Sequence, residues 1–378
     1  MTPSGTLDLD AVILDPNVGV VVCCGSGGVG KTTTAAALAL RAAEHGRTVA
    51  VLTIDPAKRL ADALGIGDLG NEPRRVSGVD ETGGGSLDAL MLDMKRTFDE
   101  VVLAHTTADK AEQIFANPFY VALSSSFSGT QEYMAMERLG QLAARDDWDL
   151  IVVDTPPSRS ALDFLDAPQR LGRFLDGRMI RLLVAPSRAG GRLGARVVGA
   201  GLGFFSRILT RILGAQVFSD ISAFVAALET MFGGFRERAQ ATYDLLRTPG
   251  TAFVVVAAPE SDALREASYF VDRLGQDGMP LAGLVLNRLH TSAAGGLSAS
   301  RAEGAAEALE GTGERLAAAV LRVHAERMLV ADGERRLAER FHRTHPDLPA
   351  VAVPAMATDV HDLPGLRQIG AALSGAPT

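Results

Sequence analysis

Val18-Gly19-Val20-Val21-Val22-Cys23-Cys24-Gly25-Ser26-Gly27-Gly28-Val29-Gly30-Lys31-Thr32-Thr33 is the stretch on which the fold turns. Up to Cys24 it is apolar without alternation, the pattern of a strand buried on both faces. Glycines follow at once, then an Ala/Leu-rich helical stretch from about Thr32 to Glu44, with Gly46 placed as its C′ stop. Two phosphate fingerprints overlap here. Gly25, Gly27 and Gly30 spell G-x-G-x-x-G, and Asp55 ends the next strand at a distance suited to a ribose, as a dinucleotide site would have it. The same residues also spell G-x-x-x-x-G-K-T. Lys31 and Thr32 decide between the two. A triphosphate needs a cation at its β/γ end and a hydroxyl on Mg²⁺, whereas a dinucleotide has use for neither. The pattern therefore predicts a Mg-ATP loop in which Gly25, Gly27, Gly28, Val29, Gly30, Lys31, Thr32 and Thr33 surround the phosphates at a helix N-terminus.

Outward from the loop, Thr48 to Ile54 is a second buried strand, and the strand–loop–helix–strand order implies a right-handed crossover. Ser86 to Leu92, Asp149 to Val153, Thr251 to Ala257, Leu281 to Leu286 and Ala350 to Val353 carry further strand patterns. Residues 67–86 look like a loop, whereas 94–144, 160–247 and 298–341 look helical. The predicted class is α/β, a doubly wound, mostly parallel sheet of the P-loop NTPase kind with an inserted helical subdomain. The predicted division is a flexible N-terminus at 1–14, a core at 15–159 and 248–378, and a helical subdomain at 160–247. Trp148-Asp149-Leu150-Ile151-Val152-Val153-Asp154 ends an apolar strand in an acid, the Walker B arrangement. Asp154 can then hold magnesium beside Thr32, directly or through water.

Net charge is −8 and the pI about 5.5, so no nucleic-acid partner is expected. Lysine is scarce: Lys31, Lys58, Lys95 and Lys110 are the four in the chain. The two cysteines, Cys23 and Cys24, are adjacent on a strand and face opposite ways, which disfavours a disulfide and fits a reducing, cytoplasmic setting. Residues 1–14 lack a basic n-region and a continuous apolar run. The longest apolar stretch, Val197 to Phe205, lies between Arg196 and Arg207 and is too short to span a bilayer.

At several points the sequence resembles one family. Gly25 to Thr33 is similar to the deviant Walker A motif G-K-G-G-x-G-K-T-T, and Thr53-Ile54-Asp55-Pro56-Ala57 looks like switch I of the arsenite-pump (ArsA-like) ATPases. That family includes the ATPase that delivers tail-anchored membrane proteins. Asp154-Thr155-Pro156-Pro157-Ser158 resembles its switch II, and Val256 to Glu260, Asn287 and Pro354 to Leu366 resemble its later strands and adenine-side loops. The resemblance implies ATP hydrolysis in which Asp55 positions the attacking water and Asp154 and Thr155 sense the γ-phosphate. It also implies that Asn287 and Pro354 lie at the adenine. Read from the residues alone, Asp55 is equally a helix cap before Pro56, and Asn287 a turn residue at a strand end.

Three departures stand against the family pattern. Ser26 replaces the signature lysine that family dimers send across their interface, so the implied dimer is either a homodimer lacking that charge or a heterodimer with a paralogous ATPase. There is no C-x-x-C for an intersubunit zinc, and the arsenite-binding cysteines are missing. The client expected is therefore a protein or other hydrophobic molecule. Within 160–247, seven arginines between Arg178 and Arg211 stand without an acid until Asp220, beside Phe204, Phe205, Ile208, Leu209, Ile212 and Leu213 at helical spacing. The stretch 195–235 is thus a core-facing helix, a client groove or a membrane-surface contact. A non-hydrolysing ATP-bound scaffold remains an alternative because of Ser26, and a nicotinamide-dependent oxidoreductase because of the overlapping glycines.

Overall fold

A computed structural model of the chain describes residues 5–117, 120–121, 130–156, 237–292 and 294–375. The basic stretch at 195–235 lies outside these residues. The described residues fall into two compact units, one from 5–91, 145–156 and 246–375, the other from 92–117, 120–121, 130–144 and 237–245.

The first unit is built on an eight-stranded sheet: β1 (Val20–Cys24), β2 (Thr48–Thr53), β3 (Arg74–Arg75), β4 (Ser86–Met91), β5 (Leu150–Asp154), β6 (Thr251–Ala257), β7 (Leu281–Leu289) and β8 (Ala350–Pro354). Spatially the order is β3-β4-β2-β5-β1-β6-β7-β8, and every pairing is parallel except β3 with β4. All five residues of β1 and of β5, and all seven of β6, are buried, which is why their sequences show no alternation. The chain leaves β1 toward β2 on one side and crosses from β5 to β6 on the other. The carboxyl ends of these central strands are therefore the switch point at which doubly wound sheets bind ligands. Helix α2 (Lys31–Glu44) lies on one face, its alanines allowing close approach to Val21, Val49, Val51 and Val152, and Leu366, Ile369 and Leu373 of the C-terminal helix complete that layer.

The predicted strands all form, and β3 is an addition inside the 67–86 stretch expected to be loop. Its two residues are too few to leave a periodic signature, and Arg75 is placed by Asp88 at 2.8 Å. The N-terminal expectation is corrected for residues 5–14. Leu7, Leu9 and Ile13 are buried, Thr6 bridges Ala350, and α1 (Asp10–Ile13) packs against α2. One side chain organises this end. Arg47 is buried and donates to the carbonyls of Ile13 (2.9 Å), Asp15 (3.1 Å), Val18 (2.9 Å) and Asp149.

In the second unit, α4 (Met94–His105), α5 (Ala108–Phe115), α6 (Thr130–Ala143) and a helix at 237–246 pack on one another. Tyr120 meets Phe98 edge to face and Phe115 at a tilt, and buried Glu137 accepts from Arg238 Nε at 2.9 and 3.0 Å. The described residues of 92–144, expected in the core, cluster here because their apolar faces meet other helices. No helix among the described residues is long and apolar enough to cross a membrane.

Replacing Arg47 by Met removes four hydrogen bonds to carbonyls, those to Ile13 and Val18 buried and those to Asp15 and Asp149 partly so. Urea denaturation is expected to show a loss of roughly 3–4 kcal/mol. A loss below about 1 kcal/mol would mean that Arg47 does not organise this end.

Candidate functional site

At the carboxyl end of the sheet the chain turns sharply out of β1. Gly25 has φ +149, and a Cβ there would stand 2.1 Å from the Val256 carbonyl oxygen. Gly30, at φ +92, would put one 2.2 Å from Asn287 Nδ2. Only glycine fits either place. Gly30 is also the N-cap of α2 and makes no side-chain cap, so the first amides of α2 face outward for an anion.

A cavity of about 660 Å³ opens over this helix end. Of the predicted residues, Gly28, Gly30, Lys31, Thr32, Thr33, Asp55, Asn287 and Pro354 line it. Gly25 and Val29 are buried at its base, Gly27 is exposed on the turn, and Asp154 lies beneath the floor, fully buried. Asp154 is the hub of that floor. Its Oδ2 accepts from Thr32 Oγ1 at 2.8 Å and Thr53 Oγ1 at 2.9 Å, while its Oδ1 is buried with no hydrogen-bond partner. A carboxylate oxygen left this way, beside a serine-type hydroxyl, fits a magnesium ion, and Thr32 and Asp154 are the residues that would hold it. Burial pushes the Asp154 carboxyl up to about 6, although the hydroxyls of Thr32 and Thr53 and the charge of Lys31 pull the other way.

Lys31 is buried and donates to the Ser26 carbonyl at 2.7 Å. Burial lowers its ammonium, and Asp154 opposes that loss most strongly. Asp55 is largely buried, and its Oδ1 accepts from the Ala57 amide at 3.0 Å. Thr155 donates to the Cys23 carbonyl at 2.8 Å. Cys23 and Cys24 are free and buried, and burial raises both thiols, Cys24 to about 12. Neither is a reactive thiolate.

The opposite wall follows β7 and β8. Asn287 donates to the Val29 carbonyl at 2.8 Å and accepts the Arg288 amide at 3.0 Å, so it braces the glycine loop across 258 residues of sequence. Arg288, at φ +63, is the one non-glycine with positive φ among the described residues. His290 is held by both oxygens of Glu334, its amide at 2.7 Å and Nδ1 at 2.6 Å. That clamp ties the wall to α10 (Arg315–Thr344), the second arm of a hairpin with α9 (Ala299–Gly311). Thr358, Asp359 and His361, within the Pro354 to Leu366 segment singled out by resemblance, line the cavity; Arg59, Asp62, Arg288 and His290 also line it and carry no motif, so only the fold finds them.

A glycine loop between a buried strand and a helix, a Lys-Thr pair at the helix start and a strand-end acid bonded to that threonine define a P-loop NTPase. More narrowly, the chain belongs to the ArsA ATPase family, whose model, described as Anion-transporting ATPase, matches residues 18–295. It is similar to Protein Rv2184c of Mycobacterium tuberculosis, 35% identical over 160 residues (40% of this chain, 38% of that one). It is also similar to ATPase GET3 of Malassezia globosa, 31% identical over 157 residues (41% and 44%). A third relative is a putative arsenical pump-driving ATPase of Halobacterium salinarum, 32% identical over 178 residues (44% and 26%). The chain thus spans less than half the length of each of these relatives.

The buried carboxylate has a measurable pH signature. With a folded value above the unfolded 3.8, Asp154 contributes stability that is full below pH ~4 and is lost as pH rises through about 6. At about 1.4 kcal/mol per pH unit, the charged form costs the nucleotide-free fold on the order of 3 kcal/mol. Between pH 4 and 7 in metal-free buffer, stability relative to wild type should shift toward Asp154→Asn by that amount. A difference that stays flat with pH would mean that Asp154 is not held in this environment.

Proposed function

We propose that the chain binds Mg-ATP in this cavity and hydrolyses it, working as a nucleotide-driven conformational switch. The observation that carries the proposal is the Thr32–Asp154 hydrogen bond with the unpartnered Asp154 Oδ1, set beside Lys31 at an uncapped helix N-terminus. Lys31 and the amides of the glycine loop bind the phosphates, Thr33 meets them at the helix start, and the wall at Asn287 and Pro354 receives the base. Magnesium, when bound by Thr32 and Asp154, neutralises charge on the β- and γ-phosphates. Asp55 keeps Oδ1 on the Ala57 amide and presents Oδ2 to the attacking water. Thr155, tethered to β1, passes the state of the γ-phosphate into the chain beyond β5.

The active form in this proposal is a dimer, with itself or with a paralogous ATPase, and the client is a protein or other hydrophobic molecule met through 195–235. Of the relatives' names, one is an arsenical pump-driving ATPase and another ATPase GET3. The raised, buried thiols of Cys23 and Cys24 favour a client that needs no thiolate ligand. They also suit a cytoplasmic location.

Steady-state hydrolysis and equilibrium binding of Mg-ATP by the purified chain, beside Lys31→Ala, test the core of the proposal. Hydrolysis in the wild type and a loss of at least ~100-fold in the variant are expected. Tight binding without turnover would leave a non-hydrolysing scaffold. NAD binding without Mg-ATP binding would return the site to the dinucleotide class.

A further inference from the structure

Phosphoryl transfer gathers negative charge on the oxygens around the γ-phosphorus, so a site that performs it needs positive charge at that end. In this cavity the γ end is that of Thr32 and Asp154, where the loops after β2 and β5 meet the glycine loop. Lys31 and Arg59 are the cations lining it and Asp55 and Asp62 the carboxylates, while Arg288 belongs to the opposite wall. Ser26 contributes a carbonyl to Lys31 and no charge. Without Arg59, this end would set the Lys31 ammonium against Asp55 and Asp62, with the buried Asp154 beneath them, before Mg-ATP added its own charge.

Arg59 opens the short helix α3 (Arg59–Ala63), four residues after Asp55. Its Nη1 stands 3.8 Å from Asp55 Oδ2, beyond hydrogen-bond reach, and 59% of its side chain is exposed. Asp55 is the fixed member of the pair, held through Oδ1 by the Ala57 amide. The guanidinium is therefore kept at the cavity by attraction without being committed to a bond. It is also close enough to Lys31 to add to the lowering of that ammonium, so the two cations converge on one region.

We propose that Arg59 is a γ-phosphate ligand acting in cis: when ATP binds, its guanidinium moves from Asp55 to the γ-phosphate oxygens and leaves Asp55 Oδ2 to the attacking water. The proposal rests on the ATPase reading of the site. In the reaction the water oxygen bonds to the γ-phosphorus as the bond to the β,γ-bridging oxygen breaks. The products are ADP, inorganic phosphate and a proton released to solvent. Arg59 contributes charge and its planar donor fork, which a lysine only half reproduces.

The test measures affinity for ADP and for a non-hydrolysable ATP analogue, with steady-state turnover, in wild type, Arg59→Ala and Arg59→Lys. In Arg59→Ala the analogue should bind ~10-fold more weakly and kcat should fall ~100-fold or more, with ADP affinity changed by less than about twofold. Arg59→Lys should fall between. Unchanged ADP binding also shows that the variant is folded. Equal weakening of both nucleotides would assign Arg59 to the general charge of the cavity and overturn the proposal, as would wild-type values throughout. If wild type binds neither nucleotide, or Lys31→Ala binds both as well as wild type does, the ATPase reading itself fails.

Discussion

A carboxylate buried at the end of the central strand is the constraint on which the rest of this site depends. Asp154 brings together the start of α2 through Thr32, the end of β2 through Thr53 and its own strand β5, all on one oxygen. Two hydroxyls and a neighbouring ammonium do not offset the loss of water around a charge at that depth, so its protonation is pushed toward neutral pH. The second oxygen has no partner at all among the described residues. A fold that maintains such a group spends stability on it. A cation next to Asp154 would relieve that cost, and its binding would then be coupled directly to the relative placement of β1, β2 and β5.

Much of this was legible in the sequence, for a physical reason. Parallel strands buried on both faces read as unbroken apolar runs, so β1, β2, β5 and β6 stand out without reference to anything distant. The glycine loop is likewise local, because Gly25 and Gly30 answer to backbone that must pass close by. What was not legible depends on partners far along the chain. Arg47 looks like an ordinary surface residue until its four carbonyls, drawn from residues 13 to 149, are assembled around it. The packing of residues 5–14 follows from the same contacts. Arg59 and the His290–Glu334 clamp, 44 residues apart, carry no motif because no local backbone geometry demands them.

Asn287 shows the same limit inside a predicted site. The family resemblance marked it for the adenine side, and in the structure it lines the cavity. Its amide, however, is engaged by the Val29 carbonyl and the Arg288 amide, both on the backbone. A residue type at a strand end indicates where a side chain arrives, but not which of its polar atoms are already engaged. In the proposed reading, a base would then be read by Arg288, His290 Nε2, Thr358, Asp359 or His361, the other polar side chains lining the cavity there among the described residues, or by backbone.

The two ends of the cavity are held with unequal firmness, and that inequality is what a switch requires. At the base end, Asn287 is bonded on both its amide atoms and His290 is gripped by both oxygens of Glu334, which anchors the wall to α10. At the γ end, Arg59 rests on an ion pair at 3.8 Å, and Asp55 is fixed through one of its two oxygens. Binding energy gained at the firm end can position a nucleotide without moving the wall. Whatever a third phosphate adds is met by groups that have somewhere to go. In the proposed switch, a difference of one phosphate group would be converted into displacement of the segment after β2 and of Thr155 after β5. Reversing the two grips would give a site that distinguished bases well and responded little to hydrolysis.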